Sequence, residues 1–260
     1  MHPLLATAVT LAGLFFATWL VSIPLRNVSI VDTVWGLGFV AAAAASLATS
    51  PELRPRHVVT AVLVAIWGLR LAVHIGWRNR GHGEDFRYVA MRRRSGDAFW
   101  WKSLPRVFLV QAVLAWIVSL PIALAASDGR VDSLDVLVVL GVAAWLVGFG
   151  FESIGDLQLV RFKADSANTG HVMDRGLWRY TRHPNYFGDT VIWWGVFLTC
   201  VARPRGWFGV VGPLLMTFLL LRVSGVALLE KSLQARKPGY AAYMERTSAF
   251  IPRRPRKLVR

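Results

Sequence analysis

The sequence has few acidic residues and almost no cysteine, and each shortage excludes a class of protein. Only 15 of its 260 residues are Asp or Glu, against 30 Lys or Arg, so the formal net charge is +15. The lone Cys200 excludes a disulfide-stabilised secreted scaffold, and no metal site is predicted around it. Because 55% of the residues are hydrophobic, the chain is not a disordered basic tail. Long uncharged apolar runs also exclude a soluble nucleic-acid-binding domain, and no nucleic-acid partner is expected.

Seven apolar runs, each close to the length that spans a bilayer as a helix, occupy most of the chain. They predict an all-α, polytopic integral membrane protein with seven transmembrane helices. The first run has no basic start and is longer than the apolar core of a signal peptide, so it is interpreted as a membrane helix. The sixth run is the shortest. The runs cover about residues 3–25, 28–49, 57–77, 107–126, 134–154 with a helical extension to about 163, 186–202, and 207–229.

Lys and Arg are unevenly distributed between these runs, and the positive-inside rule converts this into an orientation. Eight lie in residues 78–106, five in 161–186 and nine in 230–260, whereas the segments on the opposite side hold five in all. The N-terminus is therefore predicted outside and the C-terminus in the cytoplasm, within a single membrane domain. The first two segments become cytoplasmic loops and the third a cytoplasmic amphipathic segment. Most of this charge sets topology and attracts anionic lipid. Alternatively, some of these arginines bind an anionic ligand.

Ionisable residues inside apolar helices are costly unless they are paired or hydrated, so each is a functional candidate. Asp32 lies near the start of the second run. It either caps or pairs near the membrane interface or lines a cavity with Trp35. Arg70, His74 and Arg78 follow each other at intervals of four and therefore share one helix face. This polar stripe is either a packing feature or part of a site.

A second polar pair lies near the end of the fifth run. Glu152 and Asp156 are four residues apart, and the cations Arg161 and Lys163 follow. This arrangement is either a salt-bridged helix end or a set of hydrogen-bonding groups for a ribose or an adenine.

The densest polar segment is residues 176–189, which holds Arg, His, Asn, Asp and two Tyr just before the sixth run. Pro184 favours a turn that opens a helix, and a helix N-terminus with nearby Arg and His suits an anion. The alternative is an interfacial anchor of aromatic and basic residues. In the C-terminal segment, Tyr240 and Tyr243 lie one helical turn apart. That segment either lies on the membrane surface or closes over residues 176–189.

Several motifs, taken as a set, carry a resemblance to a known superfamily. In the C-terminal half they are Arg182-His183-Pro184-Asn185-Tyr186-x-Gly188, Glu230, Tyr240, Tyr243 and Ile251-Pro252. These resemble the membrane enzymes that include the steroid 5α-reductases and the isoprenylcysteine and phospholipid methyltransferases. Two earlier stretches, residues 27–40 and 68–92, are similar to the bacterial branch of steroid 5α-reductase-like proteins called DUF1295.

The resemblance implies an oxidoreductase that holds NADPH in a cytoplasmic-side cavity. Hydride would pass to the C=C bond of an enone-type, steroid-like or other lipophilic substrate entering from the bilayer. The bacterial branch implies the bacterial cytoplasmic membrane. Carried over to this sequence, the cofactor contacts fall on Trp35, Arg78, Asn79, Arg80, Asp85, Arg87, Asp156, Arg161, Lys163, Tyr180, Arg182, His183, Asn185, Tyr186, Asp189, Tyr240 and Tyr243.

The catalytic acid does not transfer directly from the steroid reductases. In that family a Glu on the second helix and a Tyr beside a third-helix His polarise the steroid carbonyl. Here Ile75 follows His74, and Asp32 is the acidic residue of the second run. The resemblance therefore leaves Asp32, His74 and Tyr88 as the candidate catalytic residues.

Two alternatives stay open beside the reductase. One is an S-adenosylmethionine-dependent methyltransferase of a lipid or isoprenoid; such enzymes carry two adjacent Glu residues where this chain has Glu230-Lys231. The other is a non-catalytic, lipid-binding membrane protein. The surplus of cations favours a dinucleotide with a 2′-phosphate over the sulfonium cofactor. The sequence predicts neither the identity of the substrate nor the oligomeric state.

Overall fold

The computed structural model describes residues 1–127, 134–201, 204–223 and 225–256. Across these residues the fold is all-helical, as predicted, and the one β-type contact is an isolated bridge between Thr181 and Ser248. The predicted single membrane domain stays a prediction, and within the structure the chain is described as two compact units. The first unit comprises Met1–Val139 with Val196–Gly212, and the second comprises Leu140–Gly195 with Pro213–Arg260.

The helices follow the predicted runs closely in the first half of the chain. Short 3₁₀ or π turns join some of them, including Leu104–Phe108, Pro204–Val210 and Leu219–Val223. The α-helices among the described residues are α1 Pro3–Leu25, α2 Ile30–Thr49, α3 Pro55–Asn79, α4 Phe86–Ser95, α5 Phe99–Ser103, α6 Leu109–Val118, α7 Leu120–Ser127, α8 Val136–Ala164, α9 Pro184–Cys200, α10 Val211–Phe218, α11 Val226–Arg236 and α12 Tyr240–Arg246.

Six helical segments among the described residues are long and apolar enough to cross a membrane, which indicates a multi-pass integral membrane protein. At 17 residues, α9 is too short to be among them, so the seventh crossing and the orientation stay predictions. The six segments are Pro3–Leu25, Ile30–Thr49, Pro55–Asn79, Phe86–Val118, Val136–Ala164 and Gly206–Val223.

Local sequence signals set the ends of the early helices. Pro3 opens α1, where the Nδ1 atom of His2 accepts a hydrogen bond from the amide of Leu4. The helix ends at Arg26, whose φ of 49° puts it in the left-handed conformation that commonly terminates helices. Pro55 opens α3 in the same way as Pro3 opens α1. Because α1 ends at Leu25 and α2 begins at Ile30, only four residues separate these two helices.

Close backbone contact joins α2 to α3 in the first unit. A Cβ atom added to Gly36 would lie 2.5 Å from the carbonyl oxygen of Gly68, so only glycine allows this approach. The buried rings of Phe39 and Trp67 pack beside it, with centroids 5.5 Å apart. Small residues at such crossings are typical of helix packing in membranes, where close van der Waals contact drives association.

One face of α3 is apolar and exposed. Val58, Val62, Ile66, Leu69 and Val73 recur every three or four residues, and each is at least 44% exposed. A continuous apolar stripe of this kind would aggregate in water but is favourable against lipid tails. The stripe therefore indicates the lipid-facing side of α3.

The second unit repeats the glycine-mediated contact between α8 and α9. A Cβ atom added to Gly188 would lie 2.5 Å from both the amide of Glu152 and the carbonyl oxygen of Gly148. Phe151 and Phe187 pack edge to face beside it, with centroids 5.0 Å apart. This contact brings the polar end of α8 against the start of α9.

Several predicted boundaries require correction. The predicted loop 78–106 contains α4 and α5, and the fourth run is divided between α6 and α7 at Ser119. The fifth helix does extend to Ala164, as predicted. The seventh run is interrupted before α11, near Gly225, where an added Cβ atom would lie 1.9 Å from the carbonyl oxygen of Leu220. Residues 202, 224 and 257–260 belong to the predicted sixth run, the predicted seventh run and the predicted C-terminal segment, and they lie outside the described residues.

Candidate functional site

In the first unit, polar side chains of α2 and α4 form a connected group that we call the acid cluster: Asp32, Asp85, Arg87 and Tyr88. Nη2 of Arg87 donates to Oδ2 of Asp32 at 2.7 Å, and the hydroxyl of Tyr88 donates to Oδ1 at 2.8 Å. Arg87 also binds Asp85, with its Nε atom 2.9 Å from Oδ1. Two of the three predicted catalytic residues, Asp32 and Tyr88, are therefore brought into direct contact.

Capping interactions hold the start of α4 against the start of α2. The Asp85 carboxylate caps α4 by accepting from the amide of Arg87 at 2.9 Å. The amide of Asp85 donates to Oγ of Ser29 at 2.6 Å, and the amide of Val28 donates to Oε1 of Glu84 at 2.8 Å. Each of these hydrogen bonds links residues close to the starts of α2 and α4. The acid cluster is therefore held in place by hydrogen bonds from backbone amides as well as by those between its side chains.

The electrostatic balance around Asp85 keeps its carboxylate ionised. Burial alone would raise the pKa of Asp85, but hydrogen bonds from Arg87 and the positive charges of Arg87 and Arg78 outweigh it and lower the pKa. The contribution of Arg78 shows that the end of α3 lies near the acid cluster. A cation from the predicted phosphate-binding set and the candidate acids therefore share one region of the first unit.

The end of α3 presents the predicted cofactor-binding cations to solvent. Arg78 and Arg80 are exposed, Asn79 is half-buried, and Nε of Arg78 lies 3.4 Å from Oδ1 of Asn79. Within the described part of the chain, the side chain of Arg80 forms no hydrogen bond or ion pair. His74, the third candidate acid, is half-buried one turn before Arg78.

Trp35 packs into the aromatic core of the first unit. Its ring meets Phe39 edge to face with centroids 5.2 Å apart, and Phe15 with centroids 6.5 Å apart. Trp35 lies three residues after Asp32 on α2 and is half-buried. The structure thus gives Trp35 a packing role, and its predicted cofactor contact stays a prediction.

In the second unit, the start of α9 meets the end of α8 through an amide and a carboxylate. Nδ2 of Asn185 donates to Oδ1 of Asp156 at 3.2 Å, while the amide of Tyr186 donates to Oδ1 of Asn185 at 3.0 Å. Asp156 is buried, and Asp189 is half-buried one turn further along α9. Asn185 and Asp156, predicted separately from two segments, therefore form one pair.

Arg182 and His183 converge on Glu230 of α11, an arrangement that we call the clasp. Nε of Arg182 donates to Oε1 of Glu230 at 2.7 Å, and Nε2 of His183 lies 3.2 Å from the same oxygen. Nη1 of Arg182 also donates to the carbonyl oxygens of Met244, at 3.0 Å, and Thr247. Arg182 and His183 are only 7% and 2% exposed, so the clasp is a buried ion pair with its donors satisfied inside the protein.

Backbone contacts extend the clasp along the C-terminal segment. The amide of Arg182 donates to the carbonyl oxygen of Ser248, and the amide of Arg253 donates to that of Tyr180, both at 2.9 Å. Oγ1 of Thr181 donates to the carbonyl oxygen of Phe250 at 2.7 Å. The C-terminal segment therefore closes over the polar segment before α9, which is one of the two arrangements predicted for it.

The two predicted tyrosines of α12 are buried. The hydroxyl of Tyr243 donates to the carbonyl oxygen of Trp178, and Tyr240 packs edge to face on Tyr243 with centroids 5.7 Å apart. Burial, together with the negative charge of Glu230, raises the pKa of Tyr240 to about 12. Burial would also raise the pKa of Glu230, but hydrogen bonds from His183 and Arg182 outweigh it and lower the pKa to about 2.

These contacts divide the predicted cofactor-binding residues into two classes. Arg161, Lys163 and Tyr180 are exposed, and they have the accessibility that a phosphate or nucleotide ligand needs. Arg182 and His183 do not fit that role as well, because their donors are already bound to Glu230 and to backbone carbonyls. The accessible cations of both units suit phosphates, whereas the clasp positions the C-terminal segment.

Sequence reasoning missed two structural interactions, one beside the acid cluster and one at the start of α3. Arg92 binds Glu84 with two hydrogen bonds of 2.8 Å, in the bidentate geometry that makes such pairs strong. Arg56, counted with the loop cations, is buried in α3, and its Nη2 atom lies 2.7 Å from Oδ2 of Asp135. Glu84 and Arg92 are eight positions apart in the sequence, a spacing that gives only a weak signal. Nothing in the sequence links Arg56 to Asp135.

Comparison with known proteins places this architecture in a family. An uncharacterized protein of the fission yeast Schizosaccharomyces pombe is 24% identical over 281 residues, covering 90% of this chain and 75% of the relative. No solved structure matches the chain significantly. Residues 18–247 match the family described as protein of unknown function DUF1295, a range that includes the acid cluster and the clasp. The chain is therefore a member of the DUF1295 family.

Proposed function

We propose that this protein is an NADPH-dependent membrane reductase of the steroid 5α-reductase superfamily. It would transfer hydride to the C=C bond of an enone-type, steroid-like or other lipophilic substrate. The observation that carries the proposal is the hydrogen bond between Tyr88 and Asp32, in a cluster that also lies near the exposed cation Arg78. One region of the first unit thus offers both a proton donor and a charge suited to phosphate.

The residues of the acid cluster can handle the proton of such a reaction. NADPH, when bound, supplies the hydride. Reduction of an enone then requires a hydrogen-bond donor to the developing enolate oxygen, and one proton, taken from water, for the carbon beside the carbonyl group. The single hydroxyl proton of Tyr88 points at Asp32; rotation of that hydroxyl would direct it to a substrate carbonyl oxygen. Arg87 would continue to neutralise Asp32 meanwhile, because it binds the other carboxylate oxygen.

The first-unit cations are the residues best suited to hold the cofactor. Arg78 and Arg80 are exposed at the end of α3, and arginine binds phosphate in a bidentate geometry that lysine lacks. The predicted contacts of the second unit, led by Asn185 and Arg161, remain predictions. The same holds for seven crossings with α9 as the sixth, for an outside N-terminus, and for a bacterial cytoplasmic membrane.

A second candidate function has one observation in its favour. The motif that resembles the lipid and isoprenoid methyltransferases is brought into contact with its downstream acid, because both Arg182 and His183 bind Glu230. An S-adenosylmethionine-dependent methyltransferase is the alternative that this contact supports. It ranks second because the clasp leaves these side chains few donors for a ligand. The third reading, a non-catalytic lipid-binding protein, would retain the fold without binding either cofactor.

Ligand-dependent thermal stability separates the three readings. The purified full-length protein in detergent should be stabilised by NADPH by about 2.7 kcal/mol at a concentration 100 times the dissociation constant. Stabilisation by S-adenosylmethionine alone would select the methyltransferase. No stabilisation by either compound at millimolar concentration would leave the non-catalytic reading.

Substitutions then test the assigned roles. Tyr88→Phe and Asp32→Asn should each slow NADPH oxidation in the presence of a membrane lipid extract while NADPH still raises the melting temperature. Asn185→Ala tests the predicted contact in the second unit and should weaken that stabilisation. Normal NADPH oxidation in both Tyr88→Phe and Asp32→Asn would remove the acid cluster from the mechanism.

A further inference from the structure

The outer face of α4 forms an open depression of about 500 Å³ that the acid cluster does not use. Its volume lies within the usual range for small-molecule sites. Residues with a spacing of three or four along α4 share this face, opposite to the buried Tyr88. The depression is lined by Glu84, Phe86, Val89, Ala90, Arg93 and Arg94.

Two cations in this depression are available to a ligand. Arg93 and Arg94 are exposed, and neither forms a hydrogen bond or ion pair with any residue that the structure describes. The acid of the lining, Glu84, is neutralised by its bidentate pair with Arg92 and is only 8% exposed at its side chain. The depression therefore presents two uncompensated positive charges.

The remainder of the lining is apolar, which excludes a purely ionic role. Phe86 is 62% exposed, and Val89 and Ala90 continue its apolar surface toward the two arginines. Further along the chain, Trp100 and Trp101 of α5 are 54% and 49% exposed. Exposed tryptophans are typical of the level of the lipid headgroups. The candidate membrane-crossing segment Phe86–Val118 also continues directly from this face.

We propose that the outer face of α4 is a binding site for an anionic phospholipid. Arg93 and Arg94 would bind the headgroup phosphate, and Phe86 with Val89 would contact the upper part of an acyl chain. A cationic pair next to an apolar wall matches both parts of such a molecule, whereas a soluble phosphate would use only the arginines. This inference does not depend on the proposed reductase activity, because none of these four residues belongs to the acid cluster.

The test compares lipid binding by matched charge variants of the full-length protein. Phosphatidylglycerol and phosphatidylcholine are titrated onto the detergent-purified protein, and bound lipid is counted by native mass spectrometry. The Arg93→Gln/Arg94→Gln variant should bind phosphatidylglycerol about thirtyfold more weakly, because each of the two arginines contributes about 1 kcal/mol near an anionic surface. The control variant Arg254→Gln/Arg256→Gln removes the same charge from exposed positions and should bind normally.

Three further outcomes decide the proposal. Phe86→Ser, at an exposed position, should weaken phosphatidylglycerol binding while the melting temperature of the ligand-free protein stays unchanged. Equal weakening in the two double variants would show an unspecific charge effect and overturn the proposal. Glycerophosphoglycerol is the same headgroup without acyl chains. If it competes for the site as effectively as intact phosphatidylglycerol, the proposal is also overturned, because the site would then bind a soluble anion.

Discussion

Replacing Glu230 with Gln removes the charge at the centre of the clasp while preserving the shape of the side chain. The pKa of Glu230 falls from its ordinary value of 4.5 to about 2, which corresponds to about 3 kcal/mol in favour of the ionised form. Its side chain is only 15% exposed, so solvent screens this interaction weakly. A glutamine oxygen can still accept one hydrogen bond and recovers part of that energy. The expected loss of local stability is therefore about 2 kcal/mol, with Arg182 left buried and without its counter-charge.

Hydrogen–deuterium exchange of the C-terminal segment measures this loss directly. Amides of residues 240–253 exchange through local opening, so a loss of about 2 kcal/mol should accelerate their exchange about thirtyfold. Glu245→Gln is the matched control, because Glu245 lies on α12, is exposed, and takes no part in the clasp. Exchange in α1 should be unchanged in both variants.

Unchanged protection of residues 240–253 in Glu230→Gln would show that the charge of Glu230 does not stabilise this segment. The same acceleration in Glu245→Gln would show that the effect follows from net charge alone. Loss of protection throughout the second unit would show that the clasp stabilises the entire unit rather than its C-terminal segment.

The remaining predictions concern acidity, packing and the acid cluster. Because the folded-state pKa of Glu230 is lowered, the stabilisation that it contributes is complete above about pH 4.5 and is lost as the pH falls toward 2. Hydrogen–deuterium exchange of residues 240–253, corrected for intrinsic rates, should therefore accelerate over this pH range in the wild type and not in Glu230→Gln. Gly36→Ala should lower the unfolding free energy by about 2 kcal/mol or more, since its Cβ would lie 2.5 Å from the backbone of Gly68, whereas Gly13→Ala, with open space around it, should be neutral or stabilising by up to about 1 kcal/mol in thermal melts. Tyr88→Phe should preserve the fold and cofactor binding but lower NADPH oxidation by about a hundredfold or more, the usual contribution of a general acid.

The early fold was predictable because each signal was local. The first three apolar runs gave α1, α2 and α3 to within two residues, since proline and a polar turn mark their ends. The helix α4 was missed because its four arginines resemble a loop by composition. The helix cap at Asp85, and the division of α4 into a buried and an exposed face, can be recognised only when Tyr88 and Arg87 are known to bind Asp32.

The candidate site was predictable residue by residue but not in its contacts. Asp32, Tyr88, Asn185 and Asp156 were each named from polarity in apolar surroundings or from resemblance, and the structure pairs them. The sequence could not show that Arg182 and His183 would both bind Glu230. Glu230 lies 47 positions after His183 and reaches it only when the chain folds back. Such long-range pairing has no periodic signature in the chain.

The proposed function requires the protein to bind NADPH, and we expect the cations at the end of α3 to hold it. Calorimetric titration of NADPH onto the detergent-purified full-length protein tests this binding most directly, with Arg78→Gln and the control Arg254→Gln measured in parallel. We expect saturable binding that is about tenfold weaker, or more, in Arg78→Gln and unchanged in the control, because a charge-assisted phosphate contact contributes about 1.5–3 kcal/mol. Absence of NADPH binding to the wild type, or equal affinity in Arg78→Gln and wild type, would contradict this expectation.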